Sequence, residues 1–297
     1  MTRPSGDPDH RPFDRRLLRL RRERWLAAAD APLFLHEEMA ERLVERLGDI
    51  RRNFATVLEL GCGRGALSRR LAARSDLRTL VRTDLARAAA PGPGHFVQAD
   101  EEALPFGAET FDAVVSVGAF HWVCDLPGVL VQLRRILRPD GLLLVAFPGG
   151  DTLFELRRSL LLAELELCGG AVPRVAPFVQ LADAAALLQR AGFALPVADI
   201  DRLTVRYRDP QELLGDLRRM GESGAPRLAG GAPLRRDVLA RALAIYRRDF
   251  AARDGRVPAT FEIIWMTGWS PHPDQPQPKP RGSGKVDLGD WLGRGSG

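Results

Sequence analysis

Apolar positions along the chain fall into two rhythms. Near the start the spacing is helical. Residues 14–29 read as an Arg-rich helix with Leu17, Leu18, Trp25 and Leu26 as its apolar contacts. Over 35–47, Met39, Leu43 and Leu47 recur every four residues. From Thr56 the pattern changes to short apolar runs stopped by glycine or aspartate, the signature of strands buried on both faces of a parallel sheet. The runs at 57–60, 79–84, 95–97, 111–117 and 142–145 are of this kind. Helices are predicted between them around Leu67 and Leu71 and over 127–137, with a turn at 138–141. Beyond the fifth strand, helices are predicted over 152–168 and 181–191. Residues 197–207 then alternate like a strand with one polar side. Asp209-Pro210 is a helix start, an N-cap followed by proline at the first helical position, so helices follow at 210–220 and 235–253. A last strand is expected over 261–266.

Strands alternating with helices imply a doubly wound, mostly parallel α/β sheet, here seven-stranded, with helices on both faces. The strands at 197–207 and 261–266 bracket a helical stretch. An insertion there forms a cap over the carboxyl ends of the strands, where open α/β sheets bind ligands. The expected division is a disordered 1–12, N-terminal helices over 13–49, and a ligand-binding domain of 50–207 plus 258–270. A cap over 208–257 and a flexible Pro/Gly-rich tail over 271–297 complete it.

Composition narrows this picture only slightly. The chain has 297 residues, 45% hydrophobic and 27% charged, an ordinary globular balance. No apolar run reaches transmembrane length, and the N-terminus has no apolar signal core, so a bacterial cytoplasmic protein is expected. A net charge of +5 raises nucleic acid or an anionic membrane as partners. Lys279 and Lys285 are the only lysines, however, so arginine carries nearly all the positive charge. That bias points to coding composition before a nucleic-acid footprint. The Arg-rich helix at 14–24 is kept as a candidate for peripheral membrane contact. Cys62, Cys124 and Cys168 show no CxxC pairing, which fits a reducing compartment.

The candidate chemistry centres on Glu59-Leu60-Gly61-Cys62-Gly63-Arg64-Gly65, which follows a strand and precedes a helix. Glycines there let the backbone approach a ligand closely and turn into the helix. The spacing is GxGxG, not the GxGxxG of dinucleotide folds. Asp84 lies 19 residues past Gly65, at the end of the next strand, where a carboxylate can accept from ribose hydroxyls. Asp100, at the end of the third unit, could accept from an adenine amino group. Cys62 is either a reactive thiol at a helix N-terminus or a small packing residue.

This ordered set resembles the class I S-adenosylmethionine-dependent methyltransferases over residues 50–150. The resemblance implies a Rossmann-like methyltransferase sheet with S-adenosylmethionine as cofactor. Glu59 and the backbone of Gly61, Cys62, Gly63 and Gly65 would lie near its methionine part, Asp84 on the ribose and Asp100 near the adenine. Leu85 and Glu101 complete the cofactor set. Further stretches resemble one subfamily, the complex I assembly factor five family of protein-arginine hydroxylases. They are 51–54, 100–102, 121–123, 149–153, 220–223 and 254–260 running into Trp265-Met266-Thr267-Gly268-Trp269. That resemblance implies hydroxylation of an arginine in the quinone-proximal iron–sulfur subunit of respiratory complex I, a protein substrate. Gly224 departs from the subfamily, whose members carry Asn after Met-Gly-Glu-Ser.

Hydroxylation is not supported independently by the residues. A non-haem iron site would want two histidines and a carboxylate. His36-Glu37-Glu38 and His272-Pro273-Asp274 have suitable spacing, but one lies on an amphipathic helix and the other in the Pro-rich tail, and no metal ligand is assigned. Methyl transfer asks for less, namely positioning and sometimes a base. His121, just after the fourth strand, is the candidate catalytic base, or else a packing histidine beside Trp122. On the substrate side the candidates are Trp122 as a wall, with Glu222, Tyr246 and Arg247 from the cap, although Tyr246 also reads as core and Arg247 as solvated. The alternatives are therefore methyl transfer to a small molecule or carrier-bound acid, and a non-catalytic assembly chaperone that binds cofactor only for stability.

Overall fold

A computed structural model describes residues 12–28, 32–87, 92–223, 233–276 and 283. Gly224, residues 1–11 and most of the tail lie outside the described residues. One sheet contains β1 (Thr56–Leu60), β2 (Thr79–Asp84), β3 (His95–Gln98), β4 (Phe111–Val117), β5 (Leu137–Gly149), β6 (Ala194–Tyr207) and β7 (Val257–Trp269). Their order is β3-β2-β1-β4-β5-β7-β6, with β7 antiparallel to both its neighbours and every other pair parallel. The doubly wound, mostly parallel seven-stranded sheet expected from the sequence is the one that forms.

The apolar runs explain the layering. Side chains alternate across a strand, so Val57, Ala113, Val115, Leu142 and Leu144 feed one core while Leu58, Leu60, Val114, Leu143 and Val145 feed the other. The first core is closed by α2 (Phe34–Asp49), α3 (Ala66–Leu71), α5 (Phe154–Cys168), α7 (Pro210–Arg219) and α8 (Arg236–Phe250). The second is closed by α4 (Leu126–Ile136) and α6 (Leu181–Arg190). A further helix, α1 (Arg15–Ala27), starts at Asp14, whose carboxylate caps the amides of Arg16 and Leu17.

Three boundaries differ from the sequence reading. The turn at 138–141 is a bulge inside β5. Pairing steps from Phe111↔Leu137 to Ala113↔Leu142, and Asp140 takes φ 60 to absorb the extra residues. β7 begins at Val257, because the hairpin with β6 stays paired down to Tyr207↔Val257. The helices α7 and α8 thus leave from one end of a continuous β6–β7 ladder, and Asp209 caps α7 through the Gln211 amide at 2.8 Å. The start of the tail is a correction: Gln275 is buried, and its amide donates to Asp140 (2.7 Å) and to the Ser270 carbonyl (2.9 Å), so 271–276 is held against the sheet. No helix among the described residues is long and apolar enough to cross a membrane.

Candidate functional site

At the carboxyl end of β1 the chain turns through Gly61, Gly63 and Gly65, all left-handed at φ 70, 48 and 76. Gly61 also has no room for a side chain, since a Cβ there would lie 2.5 Å from that of Ala119. Behind the loop, Glu59 is 1% exposed. Its Oε2 accepts from the Ser68 hydroxyl, while its Oε1 is buried without a hydrogen-bond partner. Burial pushes its pKa up to about 7. A buried acceptor of this kind, beside a glycine loop, fits a cationic group such as the ammonium of S-adenosylmethionine. Cys62 is buried and burial raises its thiol pKa, which supports the packing role over the reactive one.

Asp84 ends β2 with both oxygens engaged. Oδ2 accepts from the Gly63 amide at 2.9 Å and Oδ1 from the Ala86 amide at 2.8 Å. Asp84 is thereby locked to the glycine loop. Burial raises its pKa, with Arg22 opposing. Asp100 and Glu101 follow β3. Leu85 joins Phe13, Leu18 and Trp122 in a small apolar cluster. The structure therefore gathers the loop glycines, Cys62, Asp84, Leu85, Asp100 and Glu101 around one end of the sheet, with Glu59 behind them.

Sequence reasoning missed what lies across that end. Helix α1 points two of its arginines inward. Arg22 is buried, with its guanidinium 2.5 Å from Glu101 and 3.7 Å from Asp84. Arg15 pairs with both Asp100 and Glu101 and donates to the Trp122 carbonyl at 3.1 Å. Burial opposes ionisation of Glu101, yet Arg22 and Arg15 hold it at about 2. Trp25 of the same helix faces Gly63, where a Cβ would lie 2.7 Å from its ring. The space left in front of the loop is about 30 Å³, room for roughly one water. Two arginines that the sequence offered to a membrane surface are thus committed to carboxylates of the site.

On the far side, β4 ends in a single 3-10 turn, Phe120–Trp122, that presents His121 and Trp122. Glu222, just past α7, meets both. His121 Nε2 lies 2.9 Å from Glu222 Oε2, and the Trp122 indole donates to the same oxygen at 3.0 Å. Burial alone would raise the Glu222 pKa, but His121, His36 and Arg22 hold it below the ordinary value. Beyond this trio opens a cavity of about 510 Å³ walled mainly by apolar side chains, among them Leu153, Leu156, Leu217 and Phe261. Trp122, Met220 and Glu222 face both this cavity and the small space by the glycine loop.

Tyr246 and Arg247 are not brought here, a correction to the substrate-side reading. Tyr246 is fully buried in the core, where its hydroxyl donates to the Pro258 carbonyl at 2.6 Å. Arg247 is half exposed and pairs with Asp209. Neighbouring residues on a helix point in different directions, so the two could not share one wall. Among the described residues no group of three His, Cys, Asp or Glu side chains is placed to hold a metal ion.

Residues 58–145 match the methyltransferase domain family. The chain is 43% identical over 291 residues to the human protein "Arginine-hydroxylase NDUFAF5, mitochondrial", covering 95% of this chain and 83% of that one. It is 35% identical over 270 residues to a malonyl-[acyl-carrier protein] O-methyltransferase of Halorhodospira halophila, covering 88% and 90% of the two chains. Among solved structures, the YcgJ protein from Bacillus subtilis superposes with a TM-score of 0.54 at 15% identity, over 79% of this chain and 99% of that one, a likeness of fold.

Proposed function

The chain belongs to the NDUFAF5 arginine-hydroxylase family of the class I methyltransferase superfamily, and from that premise we propose that it binds S-adenosylmethionine and hydroxylates an arginine of a protein substrate. The observation that carries this reading is the extent of the likeness. Identity of 43% spans 95% of the chain, well beyond the 58–145 segment common to methyltransferases. The substrate proposed is the quinone-proximal iron–sulfur subunit of respiratory complex I, modified before assembly. For a bacterial cell the compartment proposed is the cytoplasm. The human relative is named mitochondrial.

In this reading α1 moves off the glycine loop to admit the cofactor, after which Asp84 would receive the ribose hydroxyls, Asp100 and Glu101 would border the adenine, and Glu59 with the loop amides would receive the methionine end. When bound, the cofactor would supply a sulfonium whose methyl is activated for displacement, chemistry that only the methyl-transfer reading below would use. Residues 208–257 act as a cap, delivering Met220 and Glu222 to the wall between cofactor and substrate. His121, fixed by Glu222 at 2.9 Å, is the candidate to exchange a proton at that wall.

A second reading, methyl transfer to a carrier-bound acid, is favoured by the Halorhodospira halophila relative. Incubating the purified chain with the iron–sulfur subunit, S-adenosylmethionine, dioxygen and a two-electron reductant, so that one oxygen atom enters the arginine and the other leaves as water, then weighing arginine peptides, separates them. A gain of one oxygen atom without release of S-adenosylhomocysteine supports hydroxylation. Stoichiometric S-adenosylhomocysteine, with carrier-bound acid as the acceptor, supports methyl transfer.

A further inference from the structure

The wall between the two spaces carries a specificity element of its own. Glu222 is the one carboxylate facing the 510 Å³ cavity among the described residues. Its two oxygens are not equivalent. Oε2 takes hydrogen bonds from both His121 and Trp122, whereas Oε1 has no hydrogen-bond partner among the described residues. The trio holds the carboxylate rigidly, and its lowered pKa keeps it charged while little exposed. Most of the remaining wall is aliphatic or aromatic, in a cavity within the roughly 300–1,000 Å³ range of ligand pockets.

We propose that Glu222 receives the cationic end of the substrate side chain: a guanidinium, carried on an aliphatic stem that lies along the apolar cavity wall. This deepens the arginine reading above and rests on it. The chemistry fits in two respects. A carboxylate held from one side presents its open oxygen to N–H donors, the arrangement guanidinium groups favour. An arginine side chain also buries its methylenes against apolar surface while its head reaches a charge. The same junction disfavours an acidic substrate, because a carboxylate brought beside Glu222 would meet like charge.

Three arginines also line the cavity without cancelling this preference. Arg174 is neutralised by Glu164 at 2.7 Å. Arg21 is engaged by the Ser223 carbonyl, and Arg218 is exposed to solvent, where its field is screened. Glu222 is the carboxylate shared by the cavity and the glycine-loop space among the described residues, with Arg22 and Asp84 lining the loop side alone.

The test compares binding of two peptides from the iron–sulfur subunit, one with the target arginine and one with citrulline in its place, by the intact chain and by Glu222→Gln and Glu222→Asp. Citrulline keeps the shape and loses the charge, and the ratio within each protein is independent of how much of it is folded. The intact chain is expected to prefer arginine by about tenfold or more, the scale of a charge-assisted hydrogen bond. The preference should fall to about one in Glu222→Gln and survive in weakened form in Glu222→Asp. A Gln variant that keeps the full preference overturns the role of Glu222 and leaves the arginine reading standing. An intact chain that ignores both peptides and takes up a malonyl-type carrier overturns both.

Discussion

The buried pair of Arg22 and Glu101 permits a prediction whose size follows from the structure. Glu101 is 1% exposed and its carboxylate is held at about 2, against an ordinary 4.5. A depression of about 2.5 units is worth about 3 kcal/mol. Because the folded pKa is depressed, this stabilisation is fully present above pH 4.5 and is lost as pH falls toward 2. Replacing Arg22 by Met keeps the aliphatic stem but strips Glu101 of one partner, leaving only Arg15, and removes the counter-charge near Asp84. The expected loss at pH 7 is about 3 kcal/mol, at the lower end of what breaking a buried ion pair costs. With a urea slope of about 3 kcal/mol/M, the unfolding midpoint should drop by about 1 M. Urea titrations of both proteins at several pH values test this. The gap should be widest at neutral pH and should narrow below pH 4.5, where Glu101 in the variant takes up its proton. A loss under about 1 kcal/mol at pH 7, or a gap independent of pH, would refute the assignment of Arg22 as the group that keeps Glu101 ionised.

Glu59 should behave in the opposite sense. Its folded pKa is raised to about 7, so its contribution is present below pH 4.5 and lost as pH rises through 7. Glu59→Gln should therefore stabilise the cofactor-free protein at pH 8 by up to about 3 kcal/mol, with unfolding curves converging below pH 4.5, while weakening S-adenosylmethionine binding in calorimetry. Gly63→Ala places a Cβ 2.7 Å from the Trp25 ring at a left-handed residue. It should displace α1, visible as faster amide exchange over residues 15–27, and lower stability by about 1–3 kcal/mol. Tyr246→Phe removes the 2.6 Å bond to Pro258 and should cost about 1–2 kcal/mol of stability without altering peptide binding, since Tyr246 lies in the core and away from the cavity. A large binding defect in that variant would return Tyr246 to the substrate side.

Much of the fold was legible because its signals are local. Short runs closed by glycine or aspartate mark strands buried on both faces, and Asp209-Pro210 marks a helix start by its own chemistry. Glu59, the loop glycines and Asp84 were legible for the same reason, being tied to strand ends whose position the chain itself announces. The role of α1 was not, because an arginine's destination depends on what the helix packs against. One signal was available: Arg15, Leu18, Arg22 and Trp25 recur at intervals of three and four, so the two arginines lie on the apolar face and not opposite it. Reading the arginines of 14–24 as a candidate membrane surface overlooked that stripe. For Tyr246 and Arg247 the structure follows the alternative of a core tyrosine and a solvated arginine, because adjacent helical positions do not share one surface. The bulge in β5 was hidden because Arg138-Pro139-Asp140-Gly141 has the composition of a turn between elements, and only pairing with β4 shows one strand continuing on both sides.

We propose that this chain oxidises an arginine of the quinone-proximal iron–sulfur subunit. The most direct test is peptide mass spectrometry of that subunit from cells with and without this protein. An arginine peptide lighter by one oxygen atom in the cells that lack it is the predicted result. An unchanged arginine, or the loss of a methylene in place of an oxygen, would contradict it.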